Sequence, residues 1–278
     1  MSLAIQKKEL KAQITAERER PAAQGWALTI TAITFLLLYI PLVAVVVLSF
    51  RGDITEPGWT LEWYKQAFTN ADLLSALWMS LVVGIGSTIL ATVIGTLAAF
   101  ALERARFPGK KIFDALNLVP LVMPEIVLGL ALLIWFVFLN FSLGSVSMIL
   151  AHTTFCLSFV IITVRARLHQ FDLSVEEAAR DLGANSFQTF MRITLPLIWP
   201  GILSGALLAF TLSFDDFLIA YFTAGVGSDT LPIKLYSMIK FGINPTVNAM
   251  STLVLVATVF LIIFMTRYNE KHKTKQGH

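Results

Sequence analysis

Charge is scarce in this chain, and cysteine nearly absent. Only 14% of its 278 residues are Asp, Glu, Lys or Arg, against about 25% in an ordinary soluble domain. So few charges cannot coat a water-soluble fold of this length. The single Cys156 excludes an intramolecular disulfide, and without paired cysteines there is no zinc or redox spacing. G-x-x-x-x-G-K-[ST] is missing, so the chain has no P-loop to cradle nucleotide phosphates. H-E-x-x-H and G-x-S-x-G are missing too, which removes the commonest metallohydrolase and serine hydrolase signatures. There is no repeat with a period of roughly 20 to 50 residues, nor the two matched halves that mark many secondary transporters. What is abundant is apolar: 56% of residues are hydrophobic and mean hydropathy is +0.74. The chain reads as an all-α integral membrane protein with no large catalytic domain outside the bilayer.

Uncharged stretches mark the spans, since a crossing needs roughly 20 apolar residues. They run from Trp26 to Phe50, Leu73 to Leu102, Leu116 onward with Glu125 as its one interruption, Ile193 to Phe214, and Phe241 to Thr266. The third continues uncharged from Ile126 to Val164, 39 residues, and divides at the turn-like Asn140 to Ser145. Six transmembrane helices are expected. Of the 21 Lys and Arg residues, 17 fall in the first 25 residues, the second and fourth loops and the C-terminal tail. The other side holds Arg51, Lys65, Lys234 and Lys240. Basic residues accumulate on the cytoplasmic side, so both termini are expected there, and the first span reads as an uncleaved anchor. The expected organisation is a cytoplasmic segment 1–25, a transmembrane domain 26–268 with a cytoplasmic loop 165–196, and a cytoplasmic tail 269–278. Basic residues confined to membrane-proximal loops follow from topology and do not indicate nucleic acid.

The loop from Arg165 to Arg192 is written as two short helices. Ser174-Val175-Glu176-Glu177 has the form of a capping box, and Gly183 can end that helix in the left-handed conformation. Asn185 to Gln188 repeats the box, and Pro196 is a poor residue for continuing the second helix. Glu177-Ala178-Ala179, Gly183, Ile193 and Leu195-Pro196 at these spacings resemble the EAA loop of permease subunits in bacterial ATP-binding-cassette importers. The resemblance narrows to spermidine/putrescine importer permeases at Pro120 to Ile126, Ser213-Phe214-Asp215-Asp216 and Leu231-Pro232 to Asn248-Ala249, although Glu125 stands where that family usually has aspartate.

That resemblance implies a type I importer permease fold in the bacterial inner membrane. It also implies a second homologous permease, two cytoplasmic ATPase subunits, and an extracytoplasmic polyamine-binding protein. The EAA loop would seat in the ATPase, with Glu177, Ala178, Ala179, Gly183, Ile193, Leu195 and Pro196 as coupling residues. ATP and Mg would bind the ATPase, and this chain would carry no cofactor and no metal.

Charged groups at mid-bilayer cost about 2.5 to 3.5 kcal/mol each on insertion scales and so turn toward protein or water. Glu125 and the pair Asp215-Asp216 are therefore the candidate cation path, together with Ser213. Counted along continuous helices, Glu125 lies ~13 Å beyond Leu116 and Asp215 ~30 Å beyond Leu195, which places the acids at two depths. Ser213 and Thr211 are spaced to share a helix face with Asp216 and Asp215 respectively, and either aspartate could face the path. The same acids could instead form structural hydrogen bonds between helices. Pro120 and Pro124 could expose carbonyls to a cavity or simply kink a helix.

Trp59 and Trp63, beside Glu56 and Glu62, are candidates for outer-face recognition or for interfacial anchoring. Gly201 and Gly205 form a G-x-x-x-G pair suited to close helix packing. His152 and Cys156 share a face, as a ligand pair or as ordinary buried residues. Three activities remain on this reading: an ATP-driven importer permease for polyamines, another small cation or a cationic amino-acid derivative, an ion-coupled carrier, and an intramembrane enzyme. The separate depths of the acids argue against the last.

Overall fold

The computed structural model describes residues 2–52, 58–170, 172–242 and 245–275. Within these ranges side chains are described from 25 to 260 and at Ile263 and Arg267. Among the described residues the regular structure is helical: α1 (Ser2–Ser49), α2 (Glu62–Thr69), α3 (Ala71–Arg104), α4 (Lys110–Val122), α5 (Glu125–Phe138), α6 (Ser145–His169), α7 (Ser174–Asp181), α8 (Ser186–Thr189), α9 (Leu195–Asp215), α10 (Leu218–Thr223), α11 (Leu231–Lys240) and α12 (Pro245–Lys275). A π turn (Phe190–Thr194) joins α8 to α9.

Four stretches are long and apolar enough to cross a membrane: Gly25–Ser49, Ala71–Arg104, Ser145–His169 and the continuous Ser186–Asp215. α4 and α5, 13 and 14 residues long, are each too short to cross and supply a fifth only when counted together, although they meet at 112°. The run expected to form one straight third span is thus broken. Pro120 stays inside α4 while Pro124 stands at the head of α5. A proline disfavours the helical conformation in the residue before it, and Met123 is accordingly extended, with ψ 134°. The apolar part of α12, Pro245–Phe260, is shorter than the other spans.

The chain divides into two compact units, 1–66 with 245–260, and 67–244 with 261–278. In the first, the outer turn after α1 is held by Gly52 N donating to Gly58 O at 2.8 Å and Thr60 N to Phe50 O at 2.8 Å. The Ser49 and Tyr64 hydroxyls meet at 2.6 Å, and Thr246 donates to Gln66 at 3.0 Å. Every residue from 25 to 44 is exposed, so that apolar helix is left to lipid or another helix.

In the second unit α3, α6 and α9 form the core, and glycines set their spacing. A Cβ on Gly95 would lie 2.8 Å from Val160, and one on Gly201 2.7 Å from Arg167 Cβ. Gly205 faces Val160 at 3.5 Å, so both glycines of the G-x-x-x-G pair meet α6. Without a hydrophobic effect between helices in lipid, such close approach is what makes association favourable. Ala91, Ala99, Cys156, Val160, Val164, Ile198 and Ala209 are fully enclosed between these helices.

Candidate functional site

Two helix breaks bring the expected acids together. α9 ends at Asp215, Asp216 is extended (φ −63°, ψ 129°), and α10 starts two residues later. Across from it, Glu125 opens α5 immediately after the Pro124 break. α10 lies directly on α5, for a Cβ at Gly129 would stand 2.9 Å from Phe222 and 3.3 Å from Ile219 Cα. Gly129 is one turn after Glu125, and the Glu125 charge acts on both Asp215 and Asp216. The two-depth reading is therefore wrong. It assumed a continuous third helix, and the 112° bend removes the relation between residue count and depth.

The two aspartates are not equivalent. Asp216 is buried, accepts the Ala220 amide at 2.9 Å, and lies 3.6 Å from His152 Nε2. Asp215 and Glu125 are exposed. Asp215 is also the last residue of α9, where unpaired carbonyls give the helix end a partial negative charge. The expected hydroxyl pairings do not form. Ser213 instead joins His152 Nδ1 at 2.7 Å and Ser87 at 2.8 Å, while Thr211 donates to Leu207 O. Cys156 donates to Ala209 O at 3.4 Å, so His152 and Cys156 act separately. Among the described residues no group of three or more His, Cys, Asp or Glu could hold a metal.

The loop at 165–196 is a helical hairpin whose caps are only partly those expected. Gly183, at φ +90°, closes α7, with its amide on Arg180 O and that of Ala184 on Ala179 O. Asn185 and Gln188 form the reciprocal box, 2.8 Å and 3.1 Å. The Ser174 box does not form. Leu173 stands at the N-cap, while Asp172 before it accepts the Ser174 amide at 3.0 Å, and this amide with the Ser174 hydroxyl holds its carboxyl below the usual value. Nor does Pro196 end the second helix, which runs on to Asp215. The π turn supplies the reason: its wider ring relieves the crowding a proline imposes on the carbonyl four residues earlier.

Glu177 and Ala178 face outward, Ala179 is buried, Ile193 and Leu195 are half-buried, and Pro196 is exposed. Leu182 (90% exposed) and Phe187 (68%) stand beside them as an unpartnered apolar surface. The acid missed in the sequence is Glu176. It is buried, is bound by both Arg104 nitrogens at 3.1 and 3.2 Å, and accepts the Thr194 hydroxyl at 2.7 Å. A helical-face count offered one signal: Glu176 lies three residues before Ala179, so both share α7's inner face. At the same end, Arg165 of α6 bridges Glu103 of α3 at 3.3 Å and also pairs with Asp114 of α4.

On the outer turn, Trp63 is half-buried with its indole N–H on Arg51 O at 2.8 Å, whereas Trp59 is 78% exposed. Only Trp59 presents its ring freely. Glu56 lies outside the described residues.

The profile of the family described as "Binding-protein-dependent transport system inner membrane component" matches residues 91–274. The chain is 42% identical over 229 residues to the spermidine/putrescine transport system permease protein PotC of Escherichia coli K12, covering 81% of this chain and 87% of that protein. It is 39% identical over 261 residues to the putrescine transport system permease protein PotI of the same organism, covering 90% and 92%. Among solved structures, a chain of a bacterial ABC transporter that imports the acidic polysaccharide alginate superposes with TM-score 0.71 at 16% identity, over 90% of this chain and 97% of that one. A chain of the MetNI methionine ABC transporter gives 0.59 at 24%, over 70% and 94%.

Proposed function

Because this chain belongs to the binding-protein-dependent transport system inner membrane components, we propose that it is a permease subunit of an ATP-driven importer that carries polyamines such as spermidine and putrescine. As a member of that family it is a transport permease of the inner membrane, with the type I importer fold. The fold alone does not choose the cargo, since it is shared with an importer of an acidic polysaccharide. The choice is carried by the gathering of Glu125, Asp215 and Asp216 at two facing helix breaks, together with the similarity to PotC and PotI.

The chemistry suits a flexible polycation. Amines with pKa values near the lysine reference of about 10.4 enter charged and must exchange water for fixed acceptors. The Asp215 carboxylate, beside the carbonyl end of α9, offers such acceptors, and Glu125 offers a second carboxylate across the gap. A diamine or triamine can bridge the two, whereas an anion would meet repulsion from both. Asp216, turned inward onto His152 and the α10 amide, fixes the loop that presents Asp215.

The partners follow from the family reading: a second permease, two ATPase subunits that bind ATP and Mg, and an extracytoplasmic binding protein. The exposed stretch 25–44 of α1 is a surface for lipid or for that second permease. The outward-facing Glu177, Ala178, Leu182 and Phe187 supply the surface for the ATPase, and Trp59 one for the binding protein. This reading is tested by uptake of labelled spermidine and putrescine into proteoliposomes carrying the complete complex. Uptake should require ATP and binding protein and survive collapse of ion gradients. Uptake driven by a proton or sodium gradient without ATP would contradict it.

A further inference from the structure

We infer that Glu176, the acid next to the EAA glutamate, is the positioning residue through which the coupling loop grips the membrane helices. The inference rests on the importer reading above and assigns a part of its machinery.

Glu176 faces away from the surface offered to the ATPase, and its carboxylate reaches two other elements and one residue of its own helix. The Arg104 guanidinium, in the last turn of α3, takes both oxygens at 3.1 and 3.2 Å. Such a fork fixes direction as well as distance. The Thr194 hydroxyl, at the end of the π turn, donates to Oε1 at 2.7 Å. Arg180, one turn along α7, approaches at 4.0 Å. With the side chain only 9% exposed, the carboxylate cannot exchange these partners for water.

α7 is therefore tied at one atom group to the end of α3 and to the start of α9. Those same two helices meet again far along their length, where Ser87 of α3 joins Ser213 of α9 at 2.8 Å, two residues before Asp215. A displacement of α7 accordingly moves both helices whose other clasp adjoins the acids.

The test compares wild type, Glu176→Gln and Thr194→Val in the complete complex in proteoliposomes, with ATP hydrolysed per spermidine carried as the readout. A residue that only supports folding would lower uptake and hydrolysis together and leave the ratio unchanged. Glu176→Gln should co-purify the ATPase subunits at wild-type stoichiometry yet hydrolyse about tenfold more ATP per spermidine, in the range typical of coupling between sites. Thr194→Val, nearly isosteric, should shift the ratio the same way by less, and it decides alone if Glu176→Gln fails to assemble. A wild-type ratio in the variants that assemble overturns the inference. A wild-type complex that carries no spermidine on ATP overturns the importer reading, and the inference with it, and is distinguishable because the failure shows before any substitution.

Discussion

Adjacent in sequence, Asp215 and Asp216 do different work, and substitution should separate them. Asp216→Ala removes the acceptor of the buried Ala220 amide. Leaving buried polar groups unpaired costs about 1–3 kcal/mol, so the purified complex should melt at a lower temperature. Asp215→Asn removes an exposed charge, so melting should stay near wild type while half-saturating spermidine rises. Thermal unfolding and uptake kinetics on the same preparations check both. A further residue-scale expectation concerns pH. The Asp172 carboxyl is held below its usual value by the Ser174 amide and hydroxyl. Its contact is thus whole above the unfolded pKa of about 3.9 and is lost only as pH falls through the lowered value. Asp172→Asn should leave the shape of the uptake profile around neutral pH unchanged, and an altered profile there would count against the assignment.

At the scale of elements, local caps were legible and long-range partners were not. Gly183 and the Asn185–Gln188 box are set within a few residues, and both stand as expected. Ser174 does not cap because the N-cap falls one residue earlier, at Leu173, whose carbonyl takes the Glu177 amide. The inner-face position of Glu176 can be counted from the sequence, but its fork partner cannot, because Arg104 is 72 residues away. Gly183 holds φ +90° with open space around it, so Gly183→Val strains the backbone by roughly 1–3 kcal/mol without a clash. It should abolish uptake and weaken ATPase co-purification while membrane insertion, followed by fractionation, persists. The core glycines give a contrasting pair. Gly95→Ala puts a methyl 2.8 Å from Val160 and should lower stability by about 1–3 kcal/mol, whereas Gly205→Ala meets Val160 at an ordinary 3.5 Å and should melt like wild type.

For the whole molecule, apolar runs and the distribution of Lys and Arg marked out a multi-pass helical chain, because burial in lipid leaves its mark on every residue of a span. The bend between α4 and α5 was not legible in the same way. Two prolines lie there, and nothing local distinguishes Pro120, which stays helical, from Pro124, which stands at a 112° break. That one bend moves Glu125 from a depth of its own to the neighbourhood of the aspartates, and with it changes a path at two depths into a cluster. The central claim is that this cluster receives the cation. Its most direct test is ATP-dependent uptake of labelled spermidine by complexes carrying Glu125→Gln or Asp215→Asn, at matched membrane levels and with the ATPase still bound. Each should reduce uptake at low spermidine by about tenfold, the loss of one charge-assisted contact, and the double variant should lose clearly more than either because each acid holds its own amine of the cation. Undiminished uptake in both single variants would make the acids structural and contradict the account.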